Sequence, residues 1–233
     1  MRNGFTLIEI SIVMVIIGLL VAGILTGKEM IRSSEIASVA ADADKLKAAI
    51  FQFQNQYGAL PGDFDKATTI WPGASPAANN GNGNGLIDYN SGAAGEEYYA
   101  WQQLSLAGLI PGSFTGAVNS LPLSKVNNAY YRVAYQIGVG NGIYGRIGHY
   151  ISIAKMDTAT GYADSAVLSP VDVYSMDLKF DDGYAPTGGI MGINASLTAK
   201  GCVTNNYTTS TTGTYLMTGN ALTCSIFFVV TNQ

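Results

Sequence analysis

Hydrophobic and polar positions divide the chain into two regimes within its first sixty residues. From Phe5 to Leu25 the sequence is almost entirely Leu, Ile, Val, Gly and Met, and Glu9 is its one charged residue. At about 1.5 Å per residue, a helix of that length reaches roughly 30 Å, the thickness of a bilayer core. Further on the pattern becomes amphipathic. Ile36, Val39, Ala43, Leu46, Ile50, Phe53 and Tyr57 recur at alternating spacings of three and four, which puts them on one stripe of a helix. Glu35, Asp42, Lys45 and Gln52 fall off that stripe. Gly58 stands where a glycine ends a helix, and Pro61 follows it. The pattern predicts one continuous helix over about Phe5–Tyr57, apolar all round in its first half and one-sided in its second.

The remainder alternates short periodic runs with turn signals. Leu60-Pro61-Gly62-Asp63-Phe64 opens a loop that passes Pro72 and Pro76 into an Asn/Gly tract. Glu96–Ala107 reads as a helix with Trp101 and Leu104 inward, stopped by Gly108. Tyr131, Val133, Tyr135 and Ile137 alternate with Arg132, Ala134 and Gln136, the signature of a half-buried strand, and His149–Ala154 is its expected partner. Ser169-Pro170 supplies an N-cap and a proline at the first helical position; that helix runs to Phe180 and stops at Gly183. Leu222–Val230 is an apolar final strand. Together these predict an α+β fold, a long helix packed on an antiparallel sheet with short extra helices.

Composition sharpens this reading. The chain of 233 residues is 48% hydrophobic and only 12% charged, an imbalance that resides in the first segment. Its 12 Lys and Arg are scattered and the net charge is −4, so nothing indicates a nucleic-acid partner. Cys202 and Cys224 fit a disulfide in an oxidising compartment better than a metal site, with two buried free thiols as the other reading. Enzyme signatures are absent: the single histidine, His149, reads as structural. There is no phosphate loop, nucleophile elbow or CxxC, and the Gly138–Gly145 tract lacks the setting of a dinucleotide site. The chain is expected not to be an enzyme and to need no certain cofactor.

One candidate cation site stands out. Asn80, Asn82, Asn84 and Asp88 offer side-chain oxygens, and Leu86 a backbone carbonyl, at much of the spacing of a calcium loop. Position 12 is Ser91 in place of the usual glutamate, and Glu96 or Glu97 could replace it by folding back. With so few carboxylates the affinity would be weak. An Asn/Gly turn without an ion is the alternative. A second acidic group, Asp177, Asp181 and Asp182, is expected to tie down the loop after it by accepting backbone N–H bonds.

Glu9 demands an explanation, because a charge inside an apolar span costs on the order of 2–3 kcal/mol. It could lie near the span's end and reach water. The segment could also be a secretory signal with Arg2 as its basic start, but the apolar run has no small-x-small site at its end. The residues Met1-Arg2-Asn3-Gly4-Phe5-Thr6-Leu7-Ile8-Glu9-Ile10 resemble the processing site of type IV prepilins and type II secretion pseudopilins. The resemblance implies cleavage between Gly4 and Phe5 by prepilin peptidase, N-methylation of Phe5, and retention of Glu9 for filament assembly against a neighbour's Phe5 amine. It further implies a leader (1–4), a transmembrane and filament-core helix (5–27) and an α+β head (28–233). The precursor would sit in the inner membrane with its head in the periplasm, then join a periplasmic pseudopilus or a surface pilus. Its partners would be copies of itself or related pilins. Many members carry a mid-helix proline; here Thr26 stands in that region with Gly18, Gly23 and Gly27, which leaves the helix's continuity open. Cys202 and Cys224 resemble the C-terminal disulfide loop of many pilins. The alternative function is a membrane-anchored binding module whose head recognises a surface, a secreted protein or DNA.

Overall fold

A computed structural model describes residues 6–89, 95–118, 120–136, 145–156, 163–194, 201–204, 213–217, 219 and 221–232. Helix α1 (Leu7–Tyr57) runs unbroken through Gly18, Gly23, Thr26 and Gly27. It begins at Leu7 because Thr6 is extended and caps it, and it ends at Gly58, whose φ of 73° closes the last turn with an N–H bond to Gln54 O. A residue with a Cβ adopts that left-handed backbone at a cost.

The two halves of α1 meet different surroundings. Every large apolar residue from Leu7 to Leu25 is exposed, Leu7 at 88% and Val21 still at 49%. This stretch is long and apolar enough to cross a membrane, and none of it is buried by the rest of the chain. In the upper half, Ile36, Val39, Ala40, Ala43, Ala49, Ile50 and Phe53 are buried, while Leu46 and Tyr57 pack partly against the core. Burial of Ala40 and Ala49 broadens the stripe beyond the expected positions.

After α1 come α2 (Ala67–Ile70), α3 (Glu96–Leu106), β1 (Tyr130–Gln136), β2 (Gly148–Met156), β3 (Ala163–Ser165), α4 (Pro170–Phe180), β4 (Ile190–Asn194) and β5 (Cys224–Asn232). The sheet is antiparallel, in the order β1-β2-β5-β4, with β3 paired to β2. Tyr135 stands opposite His149, and Ile226 bridges Ile153 on one side and Gly192 on the other. This is the pilin-like α+β architecture, a long helix whose upper half is covered by a sheet and short helices.

The head climbs α1 in steps. α4 lies lowest, where Arg32 bonds Asp172 at 2.7 Å. Above it Tyr131 reaches Val39 O, and Lys47 lies 5.7 Å from the Phe228 ring. At the top Phe53 and Tyr57 pack with Phe64 and Trp71, ring centroids 4.5 to 6.4 Å apart.

Strand β1 departs from the half-buried expectation, because Arg132 and Ala134 are buried as well as Tyr131 and Val133. Arg132 is accommodated by the Glu97 carboxylate 3.7 Å away and the Tyr89 ring at 5.0 Å. Both faces of the strand are therefore covered. Ile137 and most of the Gly138–Gly145 tract lie outside the described residues.

Candidate functional site

The N-terminal end of α1 holds the first candidate. Glu9 is the third residue of the helix, and its Oε2 accepts from the Thr6 N–H at 2.8 Å and the Thr6 hydroxyl at 2.7 Å. Thr6 Oγ1 in turn accepts from the Glu9 N–H at 3.4 Å, which completes a capping box. The first N–H groups of a helix have no partner within it, and a carboxylate three residues in satisfies them and complements the helix dipole. Glu9 is thus folded back onto Thr6 at the start of the helix. Gly4 and Phe5, the expected cleavage and methylation residues, lie outside the described residues.

The Asn/Gly loop is the second candidate, and residues distant in sequence build it. Asp63 reaches across from the Leu60–Phe64 turn; its two oxygens accept from the N–H groups of Asn84 and Gly85 at 2.8 and 2.9 Å. Glu96, at the first position of α3, folds back onto the loop and accepts from Asn82 and Asp88 at 2.8 and 2.9 Å. Burial raises the Glu96 carboxyl above its usual range, against the two N–H bonds that lower it, and Asp63 and Asp88 nearby raise it further. Gln103 of α3 clamps the turn below, accepting from Gly62 N and donating to Phe64 O and Asn79 O. Gly81 must be glycine, since a Cβ there would meet the backbone of Gly62 and Asp63.

His149 anchors the loop to the sheet. Its Nε2 accepts from the Ile87 N–H at 3.1 Å, so the ring proton sits on Nδ1, 2.9 Å from Thr231 Oγ1. Burial brings its pKa down to about 4, against the raising influence of Asp63 and Asp88. The neutral ring is the form that fits.

The predicted calcium donors gather only in part. Asn82 and Asn84 both turn their side-chain N–H₂ groups onto Asp88 Oδ2 at 2.8 Å. Their own oxygens accept from the N–H groups of Asn84 and Leu86. The side chain of Asn80 turns away to Thr68 at the start of α2. Asp88 and Glu96 flank an open cleft of about 410 Å³ with Tyr89 and Tyr99.

Among the described residues, Asp177, Asp181 and Asp182 form a group in which one carboxylate oxygen from each lies within 4.8 Å of the others. Each is engaged as the expectation for this loop requires. Asp177 accepts from Gly183 N, Asp181 from Gly189 N and Ile190 N, and Asp182 from Tyr184 N and the Thr187 hydroxyl. Asp177 is fully buried and also accepts from the Tyr215 hydroxyl at 2.6 Å. Burial pushes its pKa up to about 6, against those two bonds and with help from its acidic neighbours.

Tyr215 belongs to the segment beside the disulfide. Cys202 and Cys224 are joined, their Cα atoms 5.0 Å apart. Asn194 Oδ1 gathers the N–H groups of Gly201, Cys202 and Val203 beside the bond.

With this geometry in place, comparison with known families adds one match: residues 1–25 fit the prokaryotic N-terminal methylation motif. Searches of curated proteins and of solved structures gave no match. The motif covers Glu9 and most of the exposed apolar stretch of α1, and it is the hallmark of type IV pilin and pseudopilin precursors. The chain thus carries the processing signal of a pilin-like precursor on a pilin-like fold.

Proposed function

We propose that this chain is a structural subunit of a type IV pilus or of a type II secretion pseudopilus. On this reading prepilin peptidase cuts after Gly4, Phe5 is methylated, and the mature chain 5–233 waits in the inner membrane with its head in the periplasm. The observation that carries the reading is the lower half of α1, an unburied apolar surface that begins at a processing motif and holds one carboxylate, Glu9. A carboxylate in apolar surroundings is tolerable only when paired. The capping box supplies part of that pairing within the chain, and the Phe5 amine of a neighbouring copy supplies the rest. Such a pair fixes axial register more than it stabilises.

Intact-mass and N-terminal analysis of the membrane-extracted protein tests the processing step. The expected product begins at N-methylated Phe5, and a chain that keeps Met1–Gly4 in cells with active peptidase contradicts the reading.

The back-folding of Glu96 favours a second, narrower proposal for the Asn/Gly loop, a weak calcium site. Loading it requires both asparagine amides to turn over. That sacrifices the bonds of Asn82 and Asn84 to Asp88 and to the backbone, each worth about 1 kcal/mol. Calorimetry should therefore show saturable heat only near millimolar calcium, abolished by Asp88→Ala. No heat in that range identifies the loop as a self-satisfied turn.

A further inference from the structure

The lowest part of the head has an unpartnered feature. α4 and the segment of α1 just above the apolar stretch leave a groove of about 340 Å³, floored by Ile36 and Met176 and edged by Glu29, Ser33, Lys179 and Phe180. Phe180 is 47% exposed there, and Met30 and Ile31 on the adjoining turn of α1 are 70% and 63% exposed. Lys179 holds its ammonium 5.2 Å from the Phe180 ring and is exposed.

The height of this groove along α1 follows from the helix rise. Glu29 is four residues beyond Leu25, about 6 Å at 1.5 Å per residue. The interfacial layer above the hydrocarbon is itself about 5–7 Å deep on each side. Glu29, Lys179 and Phe180 line one groove that runs up α1 to Ala37, so its lower edge lies at headgroup level when Leu7–Leu25 spans the bilayer. A lysine with a long apolar stem settles at that depth, and phenylalanine is among the residues that interfacial helices bury at the headgroup–acyl boundary.

Resting on the membrane-anchored reading above, we propose that in the unassembled subunit the α4 edge of the head docks on the bilayer surface, with Phe180 inserted at the headgroup–acyl boundary. The occupant of the groove is then the lipid interface, continuous with the one around α1. Charge does not drive the contact. Arg32 is already paired with Asp172 and Glu35, and the exposed Lys28 and Lys179 are outnumbered by Glu29, Asp181 and Asp182. Docking should therefore be no stronger on vesicles with anionic lipid than on phosphatidylcholine alone.

Both native cysteines are tied in the disulfide, so a single introduced cysteine can carry a nitroxide in the mature full-length chain in phosphatidylcholine vesicles. Phe180→Cys is compared with Leu20→Cys in the span and with Phe51→Cys, 41% exposed and high on α1. Lys179→Cys repeats the measurement without removing the ring. The readout is the ratio of collisions with oxygen to collisions with chelated nickel. The proposal expects a label at 180 or 179 to lie between Leu20→Cys and Phe51→Cys, with oxygen favoured several-fold over its ratio at 51. Labels at 180 and 179 as water-exposed as the one at 51, with 20 deep, overturn the docking and leave the anchor intact. A water-exposed label at 20 overturns the anchor and the docking with it. Shielding of 180 from both reagents with dipolar broadening between copies identifies a second subunit in the groove and also overturns it.

Discussion

The two halves of α1 are the same helix with the same kind of side chains and opposite fates. Ile50 and Phe53 are fully buried by the head, whereas Ile16 and Leu20 are 51% and 61% exposed. Apolar surface stabilises a fold only where it leaves water. The upper half thus belongs to the chain's own core, and the lower half is completed by surroundings the chain does not supply, first lipid and then, in the proposed filament, other subunits. On the proposed reading, stability and assembly are encoded in separate segments of one element.

The largest effect should come from paired truncations. Phe53→Ala should cost the head about 3–5 kcal/mol, as large-to-small changes in packed cores do. Leu20→Ala should leave the unfolding of the head unchanged within about 0.5 kcal/mol. Denaturant melts of the detergent-solubilised chain measure both, and equal losses would break the distinction.

A smaller effect is expected from pH, and it should act on the head alone. His149 is held neutral, its pKa lowered from 6.5 to about 4. Its contribution is therefore complete above pH 6.5 and lost as the pH falls towards 4. Asp177 runs the other way, since its raised pKa of about 6 makes its contribution complete below its ordinary 3.8 and lost as the pH rises through 6. The two oppose each other across an overlapping window, so the total curve is uninformative and a variant difference is needed. His149→Gln retains an acceptor for the Ile87 N–H but does not titrate. It should be less stable than the parent at pH 7 by roughly 1–3 kcal/mol, and the gap should close between pH 6.5 and 4. A constant gap would mean that the ring has the same pKa in the fold as in the unfolded chain.

Sequence patterns reached the elements whose determinants are local. The α1 stripe and its Gly58 stop, the Ser169-Pro170 start of α4 and the terminal strand are each written in neighbouring residues. Ser169 caps α4 with Asp172 in a reciprocal pair, as the spacing allows. Strand β4 was not legible, because Ile190-Met191-Gly192-Ile193 is too short a run to show a period and gains its identity from pairing with β5. Burial of Arg132 was equally hidden, since its partner Glu97 lies on another element. At the candidate loop, the donors within 80–88 could be read from spacing. Asp63 and His149 could not, being 21 and 62 residues from the groups they hold. The Asp-Phe turn after Pro61-Gly62 was the available hint, and it reads as an ordinary turn until α3 and β2 close over it. Glu9 lies at the other extreme: its role is proposed from a motif of adjacent residues, and the fold adds only that its carboxylate reaches Thr6.

The lower half of α1 is proposed as an assembly surface whose register Glu9 sets. The most direct measurement is quantitative detection of Glu9→Ala in the membrane fraction and in sheared or pulled-down filaments of the same cells. The account predicts full membrane insertion and processing with incorporation reduced at least tenfold. Incorporation equal to that of the parent chain would contradict it.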